Sequence, residues 1–265
     1  LAETGHDLIF TTSFGFMDAT NEVAGSYPDI KFEHATGYIR AHPNVTTFSA
    51  RFYEGRVVEG LIAAHMTESN KIGYIASFPI PEVIRGINAF MLEAKQHNPD
   101  VEVEIVWVFT WFDPAKEAAA AQALIDNGAD VIVQHTDSPA AMQIAENAGI
   151  KAFGQASDMS RFGPTAHLVS IVDDWDSYYV DRAIAARDGT WEQQDTWWGL
   201  TKDGMGGETG MVVMGSYGNM PDNVMADAKA LEAALANGDR HSFPCPVYMQ
   251  DGALADDCAA GEAHL

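Results

Sequence analysis

Residues 101–158 constrain this chain most, because they read strand, helix, strand, helix, strand, with a polar or aromatic cluster closing each strand. Residues 101–109 are β-branched or aromatic apart from Glu102 and Glu104. TWFD then breaks the run, with Asp113 placed to cap a helix and Pro114 at its first position. The helix KEAAAAQALIDNG closes at Gly128, where a left-handed residue is needed. Residues 131–133 form the next strand and 134–137 its polar end, and Ser138-Pro139 opens a helix that Gly149 stops. Residues 151–153 lead into GQASD. Two crossovers between short buried strands imply a parallel sheet covered by helices, and ligands of such sheets sit beyond the strands' carboxyl ends. TWFD, QHTD and GQASD are therefore expected on one rim, and the fold class is α/β.

The rest of the chain continues the alternation. Residues 7–12 form a strand ending in TTSFGFMD, where Gly15 permits a tight backbone and Phe14, Phe16 and Met17 stand where a chain usually turns toward water. Residues 29–34 give a second strand, ending at ATGY. Residues 48–66 pass from a strand-like start into EGRVVEGLIAAHM, whose apolar positions recur at three and four residues, as in a helix with one buried face. Residues 68–70 are polar and aperiodic, the first candidate hinge. KIGYIASFPIPEV is a strand ending at Phe78, and its prolines start a helix over 82–97. A strand over 167–172 precedes the helical DDWDSYYVDRAIAARDG, so 172–176 is a second candidate crossing. A glycine-rich loop over 203–210, a strand over 211–214 and a helix over 221–237 complete the pattern, and periodicity disappears from Ser242 onward.

With 265 residues, 47% of them hydrophobic, the chain can bury one large core or two ordinary ones. No apolar run reaches the roughly 18 residues of a membrane span, so a soluble protein is expected. LAETGHD reads as the end of a helix and not as a signal peptide. Fifteen basic against 38 acidic residues give a net charge of −23, which repels a phosphate backbone and argues against nucleic acid as a partner. The acidic residues are spread over many helices, as on a solubilising surface suited to salty surroundings. Cys245 and Cys258 could form a disulfide that ties down the tail, or remain two buried thiols. Neither belongs to a metal or redox motif, so no metal and no cofactor is expected.

The segments DLIFTTSFGFMDAT, FEHATGY, ARFYEGR, IPEVIRGINAFMLEAK, WFDPAKEAAAAQALIDNGADVIVQHTDS and KAFGQASDMS, in this order, closely resemble the basic membrane protein family of ABC-transporter solute-binding proteins. The resemblance runs to about Asp251. It implies two α/β lobes of the type I periplasmic-binding-protein kind, joined by three crossings. The lobes would be 1–68 and 71–170, with a return to the first over 174–210 and to the second over 211–265. Family members open with a further strand-helix-strand portion of roughly 50 to 60 residues ahead of the position of Leu1, and ligand contacts carried there are not assigned. The implied function is capture of a purine base or nucleoside for delivery to an ABC permease. The protein would be a monomer outside the cytoplasm, periplasmic and lipid-anchored if it follows other members.

A purine needs aromatic faces above and below it and a few fixed polar groups at its rim. Phe14, Phe78 and Trp111 stand at strand ends and could supply faces, whereas Phe16 and Phe112 are expected to turn into their own lobes. Asp158 matches the last acid of the family's ligand segment, where a carboxylate can accept from an exocyclic amine. The family's earlier acid there is Ala156 here, and its following glutamine is Met159. Asp173 stands where nucleoside-binding members carry a lysine. These departures remove groups suited to ribose and favour a free, adenine-like base over a nucleoside. Ser13, Gly15, Gln134 and Gln155 complete the candidate contacts. His135 ranks lower, with Asp137 or Ser138 expected to cap a helix, and His34 and Thr36 would face the same cleft. An enzyme is the rival class, since Asp113, His135, Asp137 and Asp158 share a rim. Yet HExxH, a phosphate loop with a lysine and a nucleophile elbow are all absent. A sugar-binding or regulatory domain of the same architecture is the other rival.

Overall fold

Short β-branched runs separated by helices build two sheets here, because strands that must be covered on both faces are divided between two sets of helices. The computed structural model describes residues 1–249 and 251–261. In chain order the elements are β1 (Leu8–Thr11), α1 (Met17–Ser26), β2 (Lys31–Ala35), β3 (Val45–Ala50), α2 (Phe52–Met66), β4 (Lys71–Ala76), α3 (Pro81–His97) and β5 (Glu102–Trp107). There follow α4 (Pro114–Asp126), β6 (Val131–His135), α5 (Ala140–Ala148), β7 (Lys151–Ala156), β8 (His167–Asp173) and α6 (Asp176–Asp188). The chain ends with β9 (Asp195–Trp198), β10 (Val212–Met214), α7 (Asp222–Ala236) and α8 (Asp256–Ala259). Among the described residues no helix is long and apolar enough to cross a membrane.

One sheet has the order β1-β2-β3-β9, all parallel; the other has the order β10-β8-β7-β6-β4-β5, parallel except for β10. The chain passes between them three times: after β3, between β8 and α6, and between β9 and β10. The first passage lies at Ala50 and Arg51, not at residues 68–70. α2 packs on α3 and α7 and against β8 and β10, so it belongs to the second lobe. Residues 68–70 are a turn within that lobe, pinned by Asp130. Its carboxylate accepts from Thr67 Oγ1 at 2.6 Å and from the backbone N–H of Glu68 and Ser69 at 2.7 Å. Helical periodicity predicts a buried face but not which sheet covers it.

In the second lobe the sheet lies between α4 and α5 on one side and α2, α3 and α7 on the other. α2 is buried from Phe52 to Ala64 except at Tyr53. Gly60 allows α3 to approach closely, since a Cβ there would lie 2.4 Å from the Phe90 carbonyl oxygen. The expected caps are present. Asp113 accepts from Lys116 N–H, and Gly128 and Gly149 take φ of 96° and 71°. Cys245 and Cys258 are joined in a disulfide that closes the tail. The parts of the expected last segment at 250 and 262–265 lie outside the described residues.

In the first lobe, strand alternation turns Ile9, Phe32 and Val45 toward a cluster with Ala24 of α1, and Phe10 and Phe48 toward the aromatic side chains of α6. Glu33, fully buried on β2, is what returns α6 to this sheet. It accepts from Tyr178 Oη at 2.7 Å, Arg182 Nε at 2.5 Å and Trp191 Nε1 at 2.6 Å. Removing one partner of a buried ion pair strands the other charge. Glu33→Ala is therefore expected to cost about 3–5 kcal/mol in urea unfolding, and Glu33→Gln, which keeps an acceptor for Tyr178, distinctly less.

Candidate functional site

The carboxyl ends of the parallel strands in both lobes face each other across a cavity of about 270 Å³. The first lobe supplies Thr12, Ser13 and Phe14 from the turn after β1, Ala35 and Thr36 from the end of β2, and Trp175 and Tyr179 from the start of α6. The second lobe supplies Phe52 from the head of α2 and Glu82 from α3. Its strand ends add Trp111 after β5, His135 and Asp137 at β6, Gln155 and Ala156 at β7, and Asp173 at β8. Thr36 and Ala156, one from each lobe, hold φ of 61° and 65° without being glycine. Such backbone is costly and persists only where its surroundings over-determine it.

The aromatic groups form a connected set. Trp111 packs on Phe78 at 5.3 Å between ring centroids and on His135 at 6.1 Å. Phe52 meets His135 at 5.9 Å and, across the lobes, Trp175 at 6.4 Å. Phe14 leans on Tyr38 at 6.3 Å. Flat faces thus come from opposite lobes, Phe14 and Trp175 from one and Trp111 from the other.

Lysine and arginine are missing from the lining, while Glu82, Asp137 and Asp173 contribute three carboxyls. Asp137 is exposed at the cleft mouth, yet desolvation by the surrounding protein pushes its pKa up to about 6, and the charges of Glu117 and Glu82 add to the effect. Burial raises Asp173 well above the carboxylate range too, with Asp137 and Glu82 reinforcing it against the weaker opposing pull of Arg56 and of a hydrogen bond from Trp175. Burial lowers His135, so it is neutral at pH 7; its Nε2 lies 3.6 Å from Glu82 Oε1. Arg56, sealed beneath the cavity floor, bonds Glu59 at 2.6 Å, the Gln134 carbonyl at 2.8 Å and Gln155 Oε1. Gln155 therefore meets the cavity chiefly as a donor, through its amide nitrogen.

Of the residues singled out from sequence, Ser13, Phe14, Trp111, Gln155 and Asp173 line the cavity. Gly15, Phe78, Gln134 and Asp158 do not. Gly15 turns outward in the short helix after Ser13, and Phe78 stands behind Trp111 as its support. The Gln134 side chain faces inward and donates to the carbonyls of Thr136 and Ser138 at 2.9 and 3.0 Å. Asp158 is a structural clasp. It accepts from Ser160 N–H at 2.9 Å, Ser216 N–H at 3.2 Å and Ser216 Oγ at 2.7 Å. Partial desolvation opposes its ionisation, but these bonds outweigh it and hold the carboxyl well below the usual range. Phe16 and Phe112 do not turn inward: they are 53% and 63% exposed. His34 is structural, with Nδ1 2.8 Å from Thr11 Oγ1, whereas Thr36 reaches the cavity. Asp137 caps nothing and opens onto the cleft.

Sequence reasoning missed Phe52, Glu82, Trp175 and Tyr179. Glu82 follows the Pro81 that starts α3, so its place on the rim was open to the argument used for Trp111. Trp175 and Tyr179 depend on which face of α6 meets the cleft, which helical sequence alone does not specify. Among the described residues no three His, Cys, Asp or Glu side chains are arranged to hold a metal ion.

A family described as ABC transporter substrate-binding protein PnrA-like matches residues 1–220. A purine-binding protein of Brucella abortus is 53% identical over 95% of this chain and 70% of its own length. A Haloferax volcanii ABC transporter protein, TsgA13, for which glucose binding is proposed, is 42% identical over 87% of this chain and 57% of its own. Among solved structures, a transcriptional activator of the comK gene from Bacillus halodurans superposes with a TM-score of 0.74 at 25% identity, covering 91% of this chain and 82% of that one.

Two substitutions test the electrostatics. Asp158→Ala is expected to lower stability by about 1 kcal/mol, the usual value of such a cap, and to change ligand affinity no more than about twofold, since it stands off the cavity. Thermal unfolding and calorimetric titration measure the two effects. For Asp137 the raised folded pKa fixes the sign. Above about pH 4 the unfolded chain has released this proton while the folded chain holds it until about 6, so the group costs stability as pH rises through that window. Asp137→Asn should therefore unfold at the parent's temperature near pH 4 and at a higher temperature at pH 8.

Proposed function

Because the chain belongs to the PnrA-like family of ABC transporter substrate-binding proteins, we propose that it captures a free, adenine-like purine base between its lobes and delivers it to a membrane permease. The observation that carries this reading is the cavity itself, with flat faces from both lobes, three carboxyls at its rim and no cationic side chain. Stacking tolerates any flat heterocycle, and carboxyls and the Gln155 amide supply rim contacts. A volume of about 270 Å³ lies at the small end of ligand sites and suits a bicyclic base better than a base with its ribose. The purine-binding relative, at 53% identity, supports the same class. Delivery to a permease places the protein outside the cytoplasm.

In this reading Phe14 and Trp111 cover the two faces of the base, Ser13, Gln155 and Asp173 meet its rim, and no residue breaks a bond. A monosaccharide is the second reading, favoured by the Haloferax volcanii relative and by the fact that aromatic faces and carboxylates also hold sugar rings.

Calorimetry with adenine, hypoxanthine, guanine, adenosine, inosine and glucose separates these readings. Adenine is expected to bind at least about tenfold more tightly than adenosine, and to raise the unfolding temperature as mass action requires. Trp111→Ala should cost about 1–3 kcal/mol of that binding, the usual value of one stacked base. Tighter binding of nucleosides would replace the base with a nucleoside, and binding of glucose alone would overturn the purine assignment.

A further inference from the structure

The cavity is acid-rich, yet its most deeply placed carboxyl is the one least able to carry a charge. Asp173 ends β8, and its Oδ1 is buried with no partner within the protein. From α2 comes Arg56, from α3 Glu82, from β6 and the turn after it His135 and Asp137, and from α6 Tyr179. Arg56 is the sole cation of this group. It is paired with Glu59, fully buried beside it and itself pushed up to about 7 by burial, and its second terminal nitrogen donates to Gln155 and the Gln134 carbonyl. His135 is neutral, and Glu82 and Asp137 are acids. Glu82 and Asp137 lie close by, so an ionised Asp173 would face like charges.

A neutral carboxylic acid differs from a carboxylate in what it recognises. The carboxylate only accepts, and it complements two adjacent N–H donors. The acid both donates and accepts, and it complements a donor beside an acceptor. The 6-amino edge of adenine, an N–H next to a ring nitrogen, is such a pair, as is the lactam edge of a 6-oxopurine. We propose that Asp173 enters the complex as a neutral carboxylic acid, donating its proton to a ring nitrogen or carbonyl oxygen of the base and accepting from the neighbouring N–H. Asp173 is thereby the specificity-determining group of the site, selecting uncharged heterocycles with an amidine or lactam edge. The inference rests on the purine reading above.

The consequence is a proton that must accompany the ligand. Where Asp173 is ionised in the free protein, binding takes up a proton, and affinity falls as pH rises. Asn is the isosteric copy of a neutral carboxylic acid, with one donor group and one acceptor. The experiment is calorimetric titration of adenine from pH 6 to pH 9 in buffers of different ionisation enthalpy, with the parent protein and Asp173→Asn. The parent should lose at least about fivefold in affinity across this range and take up protons at its upper end. Asp173→Asn should bind within about threefold of the parent's pH 6 affinity, with a flat profile and no proton uptake. Adenine bound by the parent with a flat profile and no uptake would overturn the inference while leaving the purine reading intact. So would a loss of about tenfold or more in a folded Asp173→Asn at pH 6, because the ionised form would then be the one required. If the variant does not fold, proton uptake by the parent decides alone. A parent that binds no purine at any pH sinks the purine reading itself, and this inference with it.

Discussion

A guanidinium with no access to water, that of Arg56, governs how the second lobe meets the cleft. Burying such a charge costs several kcal/mol unless every face of it is met. Here Glu59 on the same helix, the Gln134 carbonyl of β6 and the Gln155 side chain of β7 meet its two terminal nitrogens, and the ring of Tyr74 on β4 lies 5.5 Å from its centre, while Nε is left without a hydrogen-bond partner. That set of contacts docks α2 onto three strands at once. It also leads to the chemistry above it, because a cation satisfied from below does not neutralise acids placed above. The cavity floor is therefore held together by a positive charge, yet no lysine or arginine lines the cavity above it.

The same interaction explains what could and could not be read from sequence. Strands ending in polar clusters, the Asp113 cap and the glycines at 128 and 149 are local, and each follows from residues within a few positions. The lobe to which α2 belongs is not local. Its apolar residues say that it is buried, but the helices that cover it, α3 and α7, lie on either side of two later crossings. β9 was invisible for a related reason. DTWW is a four-residue edge strand without alternation, and its register is set by β3, far away in the chain.

The site divides along the same line. A strand end marks a rim, so Phe14, Trp111, Gln155 and Asp173 could be found, but it does not tell which side chain at that rim looks into the cleft. Phe78 and Trp111 are both aromatic groups just past parallel neighbours, and only packing makes one the wall and the other its support. Asp158 and Asp173 are both acids at the carboxyl ends of parallel strands. Asp158 meets Ser160 and Ser216, which quench it as a structural clasp, whereas Asp173 Oδ1 meets no protein donor. What separates the two is the residue opposite, contributed from beyond the next crossing, and no local pattern carries that information.

Asp173 also stands on one of the three passages between the lobes, three residues before α6 begins. Trp175, two residues on, and Tyr179 belong to the opposite wall of the cavity. A ligand can favour one arrangement of two lobes only through contacts that differ between the arrangements. In the proposed function, a base touching Asp173 on one side and Phe14 or Trp175 on the other would make such contacts on both walls and on the strand that joins them. Arg85 of α3 lies over the Trp197 ring of β9 at 4.4 Å and near the Tyr53 ring at 5.6 Å, a cation–π contact that spans the lobes. Arg85 thus ties the lobes together at an exposed rim, apart from the buried Asp173 carboxyl oxygen.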